Sequence, residues 1–257
     1  MCELFAINAR SPQVANDYLR TFYSHSVEHP DGWGLSWREN GAIRLVKEPV
    51  RAVDSQLLAE LLEQPLAARN MVGHIRKATH GIHSYENCHP FVEEDVLGTE
   101  WCVAHNGIVV NDDLLAGYTN WETGQTDSEC VVLFLLDVLE AAERRNNGRL
   151  DFDLAFYALA AAISQLSVGN LLNLVISDGT CTYVHTNSPT PTLHYLQKDE
   201  AMIVSTQPLD DGPWQPVPSR RLVAFCEGQL VRMAPEHCNV CHSAKVLRDY
   251  VMSLREE

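Results

Sequence analysis

Residues 127–167 read DSECVVLFLLDVLEAAERRNNGRLDFDLAFYALAAAISQLS, and this stretch decides the fold. From Asp127 to Arg145, the residues Val131, Phe134, Leu135, Val138 and Leu139 recur at the spacing of one helix face. Residues 151–167 read as a second helix, apolar nearly all round and therefore expected to be buried. Strand signals lie on both sides of this pair. Upstream, Cys2 to Ala9 is short and apolar, and residues 12–25 read as a helix. Gly32 to Trp37 and Ala42 to Lys47 flank Glu39-Asn40-Gly41, whose Asn-Gly pair is a strong hairpin signal. Asp54 to Arg69 carries Leu57, Leu58, Leu61 and Leu62 at helical spacing, and Met71–Ile75 and Trp101–Ala104 read as short buried strands. Downstream come Leu171–Ser177, Cys181–His185, Ala201–Thr206 and a hairpin over Arg221–Met233 turning at Glu227-Gly228. Strands, two long helices, then strands again argue for an α+β protein with helices layered on antiparallel sheet. No βαβ unit repeats, which speaks against a doubly wound parallel sheet.

The 257 residues suffice for a large core. A formal charge of -15 repels phosphate backbones and anionic lipid, so neither nucleic acid nor a membrane surface is expected as a partner. No apolar run approaches the roughly eighteen residues of a membrane span. The start, MCELFAINARSPQ, lacks the basic and apolar regions of a secretory leader, so a cytoplasmic location is expected. The eight cysteines are then expected to be mostly reduced.

Cys2 carries the first chemical signal. A small second residue permits removal of Met1, which leaves a thiol and a free α-amine on one residue. The thiolate is the nucleophile, and a thiol of pKa about 8.5 is only slightly ionised at neutral pH. An α-amine of pKa near 8 can take that proton and later give it to a leaving amine. The bland alternative is a buried strand cysteine.

Acyl transfer also needs oxyanion donors and a grip on the substrate. VGHIRKATHG supplies Arg76, with Thr79 and His80 beside it. WCVAHNGIVVN supplies Asn106 and Gly107, read as lying just after a strand, and GQTDSE supplies Asp127 at a helix start. Each has an ordinary reading: Arg76 as a surface arginine, Asn106-Gly107 as a turn, Asp127 or Thr126 as a helix N-cap. His105 reads as support for a strand end, and Trp33 as a structural residue. The segment His237-Cys238-Asn239-Val240-Cys241-His242 contains Cys-x-x-Cys-His, but no second cysteine pair completes a zinc site, and no metal is expected.

Together these segments resemble the class II glutamine amidotransferases. The family's H-x-R-x-A-T-H-G recurs as His74 to Gly81, N-x-H-P as Asn87 to Pro90, H-N-G as His105 to Gly107 and T-D-[ST]-E as Thr126 to Glu129. The resemblance covers about residues 2–230. It implies a four-layer αββα sandwich of N-terminal-nucleophile hydrolase type, forming one domain over 2–257. The packing of the tail from about 234 to 257 stays open. It implies Cys2 as nucleophile, Asn106 and Gly107 as oxyanion hole, and Arg76 as the α-carboxylate clamp. Asp127 matches the α-ammonium acceptor, Thr79 and His80 line the pocket, and His74, Lys77, His89 and Asp31 are further pocket candidates. His29-Pro30-Asp31-Gly32-Trp33-Gly34 departs from the family's R-G-x-D and looks like the stand-alone bacterial branch. Lys77 stands where an aromatic often follows the clamp arginine.

The implied reaction is hydrolysis of a γ-glutamyl amide (glutamine, a γ-glutamyl thiol compound or a peptide) through a Cys2 thioester, with no cofactor. The implied partner is that small-molecule substrate. A homodimer and an ammonia-accepting protein both stay open. The rival readings are a γ-glutamyl-binding protein without catalysis, and a metal or redox module on Cys238 and Cys241.

Overall fold

The computed structural model of the chain describes residues 2–78 and 81–241. Two antiparallel sheets stack face to face. The first holds β1 (Glu3–Val14), β2 (Trp33–Glu39), β3 (Ala42–Glu48), β4 (Ala67–Ile75), β9 (His194–Lys198), β10 (Ala201–Ser205) and β11 (Gln215–Pro216), in the order β11-β9-β10-β1-β4-β2-β3. The second holds β5 (Phe91–Glu94), β6 (Glu100–Ile108), β7 (Leu171–Ser177), β8 (Cys181–Thr186), β12 (Arg221–Cys226) and β13 (Gln229–Met233), in the order β13-β12-β8-β7-β6-β5.

Helices α1 (Asn16–Ser24) and α2 (Gln56–Leu61) cover the outer face of the first sheet. Helices α3 (Asp127–Arg145) and α4 (Phe152–Leu166) cover the second. Side chains alternate across a strand, so each strand feeds two cores. On β1, Phe5 and Ile7 join the outer cluster with Leu19 and Phe22, while Leu4 and Ala6 join Ala104 and Val184 between the sheets. The order is helix, sheet, sheet, helix, the αββα sandwich.

Three sequence expectations are corrected. The helix expected over 12–25 begins only at Asn16, because Gln13 and Val14 pair with Ala68 and Ala67 of β4 beyond an irregularity after Asn8. Pro12 falls in that irregular stretch, where its missing N–H breaks no ladder. The helix expected over 54–69 shrinks to Gln56–Leu61: Ser55 caps it by accepting the Leu58 N–H, Pro65 cannot extend it, and Ala67 onward joins β4. The second long helix is not buried all round. Tyr157 on α4 is exposed, as are Asp153, Ala161 and Gln165, so one face of this alanine-rich helix meets solvent. Of the eight cysteines, Cys181 and Cys226 form a disulfide between paired positions of β8 and β12, while Cys2, Cys88, Cys102, Cys130 and Cys238 are free thiols. Among the described residues no helix is long and apolar enough to cross a membrane.

Candidate functional site

The site follows from strand alternation. Cys2 shares parity with Leu4 and Ala6 on β1. His74 and Arg76 share parity with Val72 on β4, and Asn106 with Cys102 and Ala104 on β6. All therefore face the interlayer. The pairing of Glu3 with Ile75 brings Cys2 and Arg76 to the same end of it.

Cys2 is half-buried. Its Sγ accepts the Lys77 backbone N–H at 3.3 Å and lies 3.4 Å from the Lys77 carbonyl. Burial pushes its thiol pKa up. The Lys77 backbone contact, the amino terminus and the Arg76 charge pull it down, and Asp127 pushes it up. The Lys77 side chain is exposed, so its main chain is what touches the sulfur.

Arg76 is buried, with only 3% of its surface exposed. Its guanidinium donates to the Ile82 carbonyl at 3.1 Å, Gly81 at 3.4 Å and Asp31 at 3.5 Å. These carbonyls fix the guanidinium at the end of β4. Two residues that the motifs contained without a stated role hold this cradle. Asn87 donates from Nδ2 to the Ile82 carbonyl at 3.0 Å and accepts the Gln125 N–H at Oδ1, 2.8 Å away. Glu129 accepts the N–H groups of Thr123 and Gly124 at 2.7 and 2.8 Å. A Cβ on Gly124 would lie 2.4 Å from Asn87 Oδ1, which explains the glycine.

Asp31 accepts the Ala78 N–H at 2.7 Å and faces His83 at 3.1 Å, so it braces the segment leaving β4. Asp127 does not cap its own helix. One carboxylate oxygen accepts the Val109 N–H at 3.1 Å and the other the Ser128 hydroxyl at 3.2 Å. Thr126 occupies the N-cap position of α3, yet its hydroxyl has no hydrogen-bond partner. His105 reaches from β6 to the Ser128 hydroxyl at 2.9 Å, bracing the start of α3, and burial lowers its pKa.

His74 and His89 pack ring against ring, 4.2 Å between centroids, with Phe91 4.7 Å beyond His89. Burial first, then neighbouring positive groups, hold both well below the ordinary histidine pKa. Both rings are therefore held toward the neutral form. Among the described residues no three His, Cys, Asp or Glu side chains cluster as metal ligands. Thr79, His80 and His242 lie outside the described residues, as does most of the tail segment.

Asn106 and Gly107 are expected just after a strand, and the structure corrects that position. They lie inside β6, paired with Asn173 and Leu172 of β7. Asn106 is buried and its Oδ1 has no hydrogen-bond partner, an arrangement that costs about 1–3 kcal/mol and favours a functional reason. A Cβ on Gly107 would sit 1.8 Å from the Leu171 carbonyl oxygen and 2.4 Å from His105 Nε2, so only glycine fits. Asn173 was invisible to motif reading, since a lone Asn in an apolar strand gives no signal.

The sequence matches the family described as glutamine amidotransferases class-II over residues 1–200. It is 28% identical over 271 residues to YafJ of Escherichia coli, covering 90% of this chain and all of that one. The crystal structure of a predicted glutamine amidotransferase from Pseudomonas aeruginosa superposes with a TM-score of 0.64 at 22% identity, covering 90% of this chain and 100% of the other. The glutamine phosphoribosylpyrophosphate amidotransferase of Bacillus subtilis superposes with a TM-score of 0.67 at 18% identity, over 93% of this chain and 50% of the other.

Proposed function

From the premise that this chain belongs to the class II glutamine amidotransferases, we propose that it hydrolyses a γ-glutamyl amide through a thioester on Cys2. Glutamine amide hydrolysis is the general chemistry of that family. The single observation carrying the finer reading is that Cys2 lies beside Arg76 at one end of the interlayer, close enough to Arg76 and Asp127 for both charges to act on its thiol.

After loss of Met1, the Cys2 α-amine takes the thiol proton. The sulfur attacks the γ-carbonyl carbon, and the displaced electron pair moves onto the carbonyl oxygen. In this reading the Gly107 N–H and the Asn106 amide stabilise that oxyanion. Collapse of the tetrahedral species breaks the carbon–nitrogen bond, and the α-ammonium gives its proton to the leaving amine. Water repeats the attack on the thioester and releases glutamate. The Lys77 N–H beside Sγ supports the thiolate against the desolvation that disfavours it. Arg76 takes the substrate α-carboxylate. Asp127, one residue into α3, takes the α-ammonium, and its bond from the Val109 N–H keeps the carboxylate off the helix's own donors.

The test offers glutamine, glutathione and other γ-glutamyl amides and measures glutamate release. Cys2→Ala is expected to lose at least a thousandfold in kcat, and intact mass is expected to show Met1 removed. Glutamate release at the wild-type rate by Cys2→Ala would refute the proposal. The leaving group follows from whichever amide is turned over fastest.

A further inference from the structure

Asn173 is fully buried in β7, directly opposite Asn106. Its Nδ2 donates to the Asn106 carbonyl at 2.8 Å. Its Oδ1 accepts two hydroxyls, Thr186 at 2.7 Å and Thr192 at 2.8 Å. The Asn106 carbonyl can only accept, so the amide must turn its NH2 to Asn106 and its Oδ1 to the two hydroxyls, which leaves it one orientation.

The peptide geometry gives this contact a consequence. A trans peptide points its C=O and N–H in opposite directions. The Asn106 carbonyl is held toward β7, so the Gly107 N–H of the same peptide points away from β7. The ladder agrees. The Leu172 N–H donates to Asn187 Oδ1 at 2.9 Å, and its carbonyl lies 3.0 Å from His185 Nδ1, so both groups face β8. The Gly107–Leu172 pair is therefore the non-hydrogen-bonded kind, whose polar groups point outward. Beyond β6 on that side, β5 pairs only with residues 100–103, so among the described residues no strand pairs with Gly107 there.

We propose that Asn173, held by Thr186 and Thr192, is a positioning residue that aims the Gly107 N–H at the oxyanion. It touches no substrate. It acts by fixing the tilt of the 106–107 peptide, and an N–H donor loses strength quickly as its angle to the acceptor falls. The proposal rests on the Cys2 thioester reading.

The probe is glutamate γ-semialdehyde, whose aldehyde carbon takes the Cys2 sulfur and becomes a tetrahedral hemithioacetal with its oxygen in the oxyanion site. Glutamate, which forms no such adduct, is the comparison ligand. In Asn173→Leu and in the near-isosteric Asn173→Asp, aldehyde affinity is expected to fall about tenfold to a hundredfold. Glutamate affinity and the KM for glutamine are expected to stay within about twofold, with kcat falling in step with the aldehyde. A general loosening of the site would weaken both ligands together, and that result overturns the proposal. So does an unchanged aldehyde-to-glutamate ratio in either variant that folds. Should Cys2→Ala bind the aldehyde as tightly as the wild type, the Cys2 reading itself fails, and the positioning role with it.

Discussion

At the scale of single residues, the site is built from groups whose backbone neighbours matter as much as their side chains. Lys77 meets the sulfur with its main chain, and Gly107 is needed for what it lacks. One residue further along β1, Glu3 is buried with Oε2 2.7 Å from His25 Nδ1 and Oε1 accepting the Gln207 amide at 2.7 Å. The bond to Glu3 raises the His25 pKa above its ordinary value, with burial opposing. A raised folded-state pKa means the folded form holds the proton more tightly. The pair's contribution is then complete below the unfolded histidine pKa of about 6.5 and lost as pH rises through the higher folded value. Urea midpoints compared between pH 5.5 and 8.5 should therefore fall more for the wild type than for His25→Gln. Equal slopes would show that the pair carries no proton linkage.

At the scale of elements, loops hold the Arg76 guanidinium that β4 delivers. Asn87 joins the segment at Ile82 to the segment at Gln125, and Glu129 pins residues 123 and 124 to the first turn of α3. Asn87→Ala removes the donor to Ile82, whose carbonyl also receives Arg76. If Arg76 takes the substrate carboxylate as proposed, the expected result is a rise of about tenfold in KM for glutamine with kcat changed less than about threefold, read from initial rates, because the cradle would then serve binding rather than the tetrahedral step. A fall in kcat at constant KM would reassign Asn87 to the chemistry. The same scale shows where periodicity misleads. Leu57 to Leu62 signals a helix correctly, but Pro65 stops it and Ala67 is drawn into β4 by pairing with β1. The turns at Asn40-Gly41 and Glu227-Gly228 have positive φ at both positions, so their dipeptides announced them.

At the scale of the whole molecule, the two sheets are tied together at the end away from Cys2. Asn8 of β1 donates to Asn70 Oδ1 at 2.8 Å and to the Thr180 carbonyl at 2.9 Å, and accepts the Gly228 N–H at 2.8 Å. One fully buried amide thus joins β1 and β4 to two turns of the opposite sheet. Asn8→Ala would leave several of these groups unsatisfied and is expected to cost about 2–4 kcal/mol in urea unfolding. Activity per folded molecule should be unchanged, since Asn8 lies six residues from Cys2 along an extended strand. A stability loss under about 0.5 kcal/mol would show that the sheets are held by apolar packing alone.

The sequence by itself determined the fold class and the chemical types at the site. Helical period, Asn-Gly turns and ordered motifs are local signals, and Cys2, Arg76 and Asp127 declare their chemistry by residue type. The tertiary structure alone decided how those groups are held. Residues 13–14 became strand because β4 offered them partners. Asn106-Gly107 became strand interior because β7 pairs with it, and Asn173 gained a role only by lying across from Asn106. The physical reason is that a backbone hydrogen bond depends on which distant segment arrives opposite, and no local pattern encodes that arrival.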